Sequence, residues 1–417
     1  MYEDRWGGEM QWNENFRGGD SVYGESIYTN RFELVGKYQL PTKEHLVLSG
    51  SYSNHIQNSF YGTTSYNALQ QIGYGQLVWD KQWNIKNKFV SGLVTRYELY
   101  DDNTFATQSN DSINPLNQPS IDIYPGVFVQ NTTDINEKLK VLSGVRLDYH
   151  NKHKLIFTPR LNFKYSPNSK LTGRVGYGNG FRVVNVFTED HAALTGARSI
   201  EIPNKLDPER SHNGNINIEK RINTKWSYIT LDASAFYTYF SNKIIPDYDT
   251  DDEKIIYANL DGNAISKGVS LNARLLFEFP LTINFGATLM DVYTNERDDA
   301  GTLTKKPQLL TENITGTWSI SYKFDKPNLS IDYTGNLYGP MHLPVFENDF
   351  RPDKSPFFSI QNIKVSKSSK SGWKASLGIQ NLLNFTPPST SIMRAFDPFD
   401  KNVTVNNPNN YKIGRAH

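Results

Sequence analysis

The 417-residue chain contains no cysteine. That excludes disulfides, thiolate metal sites and cysteine nucleophiles. It also lacks a charge bias: 44 Lys and Arg stand against 43 Asp and Glu, so the chain as a whole carries no electrostatic footprint for nucleic acid. No apolar run approaches the ~18 residues of a membrane helix, and the mean hydropathy is −0.57. Aliphatic residues are scarce. With glycine counted and tyrosine left out, the apolar share is about 38%, below the ~45–50% of ordinary globular domains. Helix signals are nearly missing too, since no capping box leads into an apolar run of period 3.6.

What is present in quantity is aromatic: 24 Tyr, 23 Phe and 7 Trp. Such a composition is the opposite of disorder. It suits a fold that buries little and sets rings at an interface. The stretch ITGTWSISYKF, Ile314 to Phe324, places Ile314, Gly316, Trp318, Ile320, Tyr322 and Phe324 on one side. Thr315, Thr317, Ser319, Ser321 and Lys323 fall on the other, which predicts a strand with one dry and one wet face. The pattern recurs in LKVLSGVRLDYH, KLTGRVGYG, ITLDASAFYTYF and GVSLNARLLFEF, and in roughly sixteen segments altogether. Each is about nine to twelve residues long, the length of a tilted membrane-spanning strand.

Connectors come in two lengths. YSPNSK and KFDKPN are short and turn-like, whereas YDDNTFATQSNDSINPLNQPS and the stretch from Gly180 to Arg210 are long and polar. The second faces hold Thr, Ser, Asn, Gly and isolated charges, as a polar lumen does, and the apolar faces tend to end in aromatic rings. The reading is an all-β, antiparallel transmembrane β-barrel with short turns on one rim and long loops on the other. A soluble all-β binding protein is the alternative that detergent dependence discriminates.

Four motifs carry a resemblance. GYGNGFRVVNVFTED, Gly176 to Asp190, includes Phe181, Asn185 and Phe187. NKLDPERSHNGNINIEKR follows with Leu206, Pro208, Glu209 and Ser211, then ISKGVSLNARLLFEF with Ser270. GIQNLLNFTPP carries Asn381, Leu382 and Asn384, and Gly414 and Arg415 come after it. In order and spacing these resemble the conserved elements of TonB-dependent outer-membrane receptors, over most of the chain.

The resemblance implies part of a 22-stranded barrel whose lumen holds an N-terminal plug. It implies uptake of a scarce solute such as a ferric siderophore or cobalamin, with no chemistry on the substrate and no cofactor. The implied partners are the lipid bilayer of the outer membrane, the plug, the TonB energy-transducing complex and a metal chelate or cobalamin-like ligand, without nucleic acid. The implied location is the cell outer membrane. The sequence begins without a basic, apolar leader and ends at YKIGRAH. The expectation is therefore a single barrel-domain fragment over residues 1–417, incomplete at both ends and without its plug, opening on an irregular loop over 1–30.

Candidate binding residues are Arg182, Glu189, Asp190, His191 and Arg198, at the start of the long polar segment. They could hold an anionic chelate by charge-assisted hydrogen bonds, or they could be a solvated loop cap. Asp247, Asp249 and Asp251 form an Asp-x-Asp-x-Asp array. An EF-hand would want glycine at position six and Glu at twelve, where Asp252 and Ala258 stand. An acidic solvated loop accounts for it better than a Ca²⁺ site. An outer-membrane barrel enzyme, a protease or lipase, would need a nucleophile–base pair. Ser211 and His212 are adjacent, and adjacent residues on a strand face opposite ways.

Overall fold

The computed structural model describes residues 1–104, 107–109, 116–184, 199–203, 206–247, 250–251, 254–297, 300–344, 351–388 and 391. Among them no α-helix appears, and the one helical element described in full is a 3₁₀ turn, Glu14–Phe16. The remaining regular structure is strand.

The first nine strands are β1 (Tyr2–Gly8), β2 (Gly24–Gln39), β3 (His45–Tyr61), β4 (Thr64–Asn84), β5 (Asn87–Asp102), β6 (Ser120–Asp134), β7 (Leu139–His150), β8 (Lys154–Asn168) and β9 (Leu171–Arg182). Each of the first eight pairs antiparallel with its successor. After the short β10 (Ser199–Glu201) the wall resumes with β11 (Glu209–Asn223) and β12 (Ser227–Asn242). Two further short strands, β13 (Ile244–Asp247) and β14 (Lys254–Asn259), precede β15 (Gly262–Phe277) and β16 (Leu281–Arg297). β17 (Leu303–Pro307) and β18 (Ile314–Phe324) are two pieces of one neighbour, covering the upper and lower parts of β16. β19 (Leu329–Tyr338), β20 (Phe358–Ser368) and β21 (Lys374–Ile379) complete an 18-stranded sheet. Among the described residues nothing pairs β1 with β21, so the sheet is open.

The opening thirty residues correct an expectation. They are not one irregular loop: Tyr2–Gly8 is a strand in register with Gly24–Asn30. The pairing partner, rather than the low strand propensity of Glu3 and Asp4, decides the conformation. Residues 9–23 between them are looped, held by Arg17. Its guanidinium lies between the rings of Tyr28 and Phe60, 4.3 and 4.5 Å from their centroids, and Nε donates to Ser26 Oγ at 2.8 Å.

Along the wall the usual order of inside and outside is inverted. In β7, Val145, Leu147 and Tyr149 are 47, 36 and 46% exposed, while Asp148 and His150 between and beyond them are 1 and 0% exposed. The apolar face is bare and the polar face is covered. Water would penalise that arrangement, and hydrocarbon rewards it. Where a ring is large, its cross-strand partner shrinks. A Cβ on Gly335 would come within 2.1 Å of the Trp318 ring, so that ring lies flat on its glycine partner.

The two rims differ. Seven of the connectors on one rim are 40–44, 85–86, 135–138, 169–170, 224–226, 278–280 and 325–328, and the eighth is 369–373. None exceeds five residues. Exposed Trp83, Tyr165, Trp226, Phe279, Phe324 and Trp373 cluster at this rim, with Lys225 Nζ 5.0 Å from the Trp226 ring. From Leu139, paired with Tyr165, to Tyr149, paired with Leu155, is ten residues. At ~3.3 Å per residue and a tilt of ~40° that gives an apolar band roughly 25 Å tall, the height of a barrel's lipid-facing belt.

Candidate ligand-binding rim

The long connectors all leave the opposite rim, and part of what is described of them forms regular structure. The connector after β12 folds back as β13 and β14, which with β10 make a separate three-stranded sheet. Ile255 and Tyr257 are buried at its centre, packed by Val184, Ile200, Leu206 and Ile244. Leu206, predicted as a family-motif residue, is therefore a core residue of this cap.

Arg182 and Glu209 close the base of the cap. They are cross-strand partners at the top of β9 and β11, with Arg182 Nε donating to Glu209 Oε2 at 2.8 Å. The other Glu209 oxygen accepts the Ile244 N–H at 3.1 Å, tying the wall to β13. Arg182, expected as a ligand contact, directs its Nε into this clamp and keeps a half-exposed side chain. Beside it, Lys243 donates to Gln308 Oε1 at 3.3 Å. Burial pushes the Lys243 ammonium below the usual lysine range, with Glu209 opposing the shift. Pro208 accepts from Asn242 Nδ2 at 2.9 Å. Ser211 sits opposite Gly180, at a bulge that follows Arg210.

Asn185, Phe187, Glu189, Asp190, His191, Arg198, Asp249, Gly414 and Arg415 lie outside the described residues. Asp247 accepts from the Thr250 N–H at 3.0 Å and from its hydroxyl at 2.5 Å, while Asp251 faces Lys254 at 3.9 Å. Among the described residues no three His, Asp or Glu side chains are arranged to hold a metal ion. His212 Nδ1 meets the Tyr177 hydroxyl at 2.8 Å on the outward face, away from Ser211. Asn381 and Asn384 both adopt φ of 49°, and the Asn381 side chain bonds both the N–H and the C=O of Phe385. That motif makes a turn in which Asn is one of the few residues able to adopt the left-handed conformation. The next residue, Leu382, donates its N–H to the Gln361 carbonyl at 2.7 Å.

Two polar networks at this rim had no sequence signal. Tyr66 and Tyr100 share a 2.7 Å hydroxyl contact, and Tyr100 donates on to Asp102, which also accepts from Thr104 and Thr107. Lys152 bridges Ser120 and Asp122 at 2.7 and 3.1 Å, beside the buried His150 ring. His150 Nδ1 accepts the N–H groups of Lys152 and His153, so the proton of the neutral ring is on Nε2. Lower on the inner wall, Arg146 grips Asp148 with two 2.7 Å bonds and Arg174 donates to Asn217 at 2.7 Å. The inner wall thus presents polar groups along its height, most of them hydrogen-bonded, a surface suited to water or a polar occupant.

No curated protein matches the chain. Among solved structures it is similar to the siderophore receptor PirA from Pseudomonas aeruginosa, at 15% identity and a TM-score of 0.64, covering 87% of this chain and 62% of that one. The FrpB iron transporter from Neisseria meningitidis (F3-3 variant) gives 13%, 0.68, 92% and 64%. The copper transporter OprC gives 14%, 0.62, 89% and 61%. The chain spans less than two thirds of the length of these proteins, and at such identities the likeness speaks for fold alone. The family model described as TonB dependent receptor-like, beta-barrel matches residues 2–382. With its open meander, bare apolar face and one rim of long connectors, the chain belongs to the TonB-dependent receptor β-barrel family.

Proposed function

We propose that this chain is the lipid-embedded wall of an outer-membrane receptor that takes up a scarce solute, a ferric siderophore or a cobalamin-like metal chelate. A plug and the TonB energy-transducing complex drive the release of the ligand inward. The observation that supports this reading best is the inverted wall: exposed Val145 and Leu147 beside covered Asp148 and His150. The neighbours in fold include proteins named as a siderophore receptor, an iron transporter and a copper transporter, which favours a metal-bearing cargo.

Binding belongs to the long-connector rim. Arg182 holds the cap to the wall there, and Glu189, Asp190, His191 and Arg198 supply ligand contacts in the segment that follows. The complete protein should extract only with detergent, should shift mobility on heating in gels and should bind a ferric chelate with quenching of its tryptophan fluorescence. Arg198→Ala should weaken that binding with the cap intact. A complete protein that is monomeric in plain buffer, or that binds no metal chelate, overturns the reading.

A further inference from the structure

On the inner wall, where β12, β15, β16 and β18 run side by side, a hollow of ≈ 300 Å³ is lined by Thr230, Asn272, Arg274, Asn284, Thr317 and Ser319. We propose that it binds a carboxylate near the exit end of the lumen. The proposal rests on the uptake reading above and adds a second site, at the end of the barrel opposite the long-connector rim.

The hollow faces inward. Leu271 and Phe285 are exposed on the apolar face, and strand alternation turns Asn272, Arg274, Asn284 and Gly286 the other way. Leu231, exposed between Thr230 and Asp232, does not line it. Register sets the inward residues in two rows across the strands. Asp232, Asn272, Gly286 and Thr317 make one row, and Thr230, Arg274, Asn284 and Ser319 make the other. Gly286 gives the hollow its depth. A Cβ there would stand 2.9 Å from both Asn272 Oδ1 and Thr317 Oγ1, so two polar groups converge over a residue without a side chain. Arg274 lies four residues from the 278–280 connector. At ~3.3 Å per residue and a tilt of ~40° that is roughly 10 Å inside the short-connector rim.

The polar groups of the hollow are uncommitted. Among the described residues none of its six polar side chains makes a hydrogen bond or an ion pair. The inward groups around it do. Ser270 shares a 2.9 Å contact with Thr288 one row up, Ser321 donates to Asp332 at 2.7 Å one row down, and Asp232 accepts from Asn217 at 2.6 Å. A patch left unpaired inside a paired wall is open to an occupant from outside the wall. The donors define its chemistry. One guanidinium offers a planar fork that matches a carboxylate. The amides of Asn272 and Asn284 and the hydroxyls of Thr230, Thr317 and Ser319 supply neutral donors around it. A phosphate dianion calls for a second cation, whereas the other charged residue lining the hollow is Asp232, already bonded to Asn217 and Ser234. The carboxylate comes either from the solute on its way inward or from an acidic side chain of the polypeptide that fills the lumen. Both present the same two oxygens.

The test is the rate at which phenylglyoxal modifies Arg274 in the complete receptor in detergent, read by peptide mass spectrometry. Acetate at constant ionic strength should slow that rate in a saturable way, and inorganic phosphate should slow it less. Arg210, exposed and without an ion pair among the described residues, should react alike throughout. Asn284→Leu should weaken the acetate effect about tenfold, the weight of one hydrogen bond to a charged group. Asp232→Asn should strengthen it, a gain that misfolding cannot mimic. Arg274→Lys treated with carbodiimide separates the two sources. A carboxylate held in the hollow condenses with the introduced amine to an amide, and the carbodiimide takes up the water as it becomes its urea. A dissolved occupant then appears as an acetyl group on that amine, and a protein occupant as a cross-link to one acidic residue. With a protein occupant Arg274 is slow before acetate is added, Asn284→Leu speeds it and Asp232→Asn slows it further. Arg274 reacting as fast as Arg210 with and without acetate, equal slowing by phosphate, slowing with neither adduct, or no response to Asn284→Leu and Asp232→Asn overturns the site. A receptor that shields Arg274 yet binds no metal chelate fails the uptake reading alone, so the two failures are distinct.

Discussion

The wall and the cap solve the same problem in opposite ways. The strands of the wall turn their aliphatic and aromatic residues out and keep Asp148, His150 and Arg146 in. The cap of β10, β13 and β14 turns Ile255 and Tyr257 in, against Val184, Ile200, Leu206 and Ile244, as a small water-soluble sheet does. One chain therefore carries two hydrophobic conventions. The boundary between them is drawn at the Arg182–Glu209 pair, where the wall ends and the cap begins. The medium sets the convention: apolar surface goes wherever water is absent, and for the wall that place is the bilayer.

The comparison can be broken from either side. The largest effect should come from Tyr257→Ala, which empties the centre of the cap at a cost of about 3–5 kcal/mol. Hydrogen exchange should then rise across β10, β13 and β14, while the wall keeps its protection and its heat-dependent gel mobility. Leu271→Arg should cost roughly 2–4 kcal/mol in urea unfolding from vesicles, although Leu271 is 59% exposed. In a water-soluble sheet the same change would register close to zero. Asn272→Arg, its inward neighbour, should be tolerated.

A smaller effect, about 1–2 kcal/mol, is expected of Glu209→Ala, which strands the Ile244 N–H and releases Arg182. Half-exposure of Arg182 keeps the ion pair itself modest. Protease nicking of the 183–208 and 243–261 connectors should report it. The smallest is a pH effect. Lys243 has its pKa lowered by burial, so folding of the cap's base penalises its charged form. That penalty is present below the depressed pKa and is lifted as pH rises from there toward the unfolded value of about 10.5. Cap protection should therefore increase slightly over that alkaline range, and Lys243→Met should remove the dependence.

The wall was legible because its signal is local. Period two within Ile314–Phe324 is visible without any partner, and β18 has those bounds. β1 is not legible, because Tyr2 is followed by three charges in a row, Glu3, Asp4 and Arg5, with no aliphatic alternation, and only register with β2 makes them a strand. The rim was legible as a place and not as a mechanism. Arg182 and Glu209 were both picked out, yet their contact spans 27 residues, and periodicity carries no term for it. Lys152 with Asp122 and Tyr66 with Tyr100 are likewise joined only by strand order. Asn381 was legible as a motif, and its physical content, a left-handed turn, needed the backbone.

The absence of native cysteine makes the central claim directly measurable. Single cysteines at 269, 270, 271 and 272 in β15 of the complete, reconstituted receptor can carry nitroxide labels. Their collision rates with oxygen, which concentrates in hydrocarbon, and with a water-soluble nickel complex can then be compared. High oxygen and low nickel rates at 269 and 271, reversing at 270 and 272, are what the inverted wall predicts. Rates that do not alternate, or nickel access at 269 and 271, would contradict it.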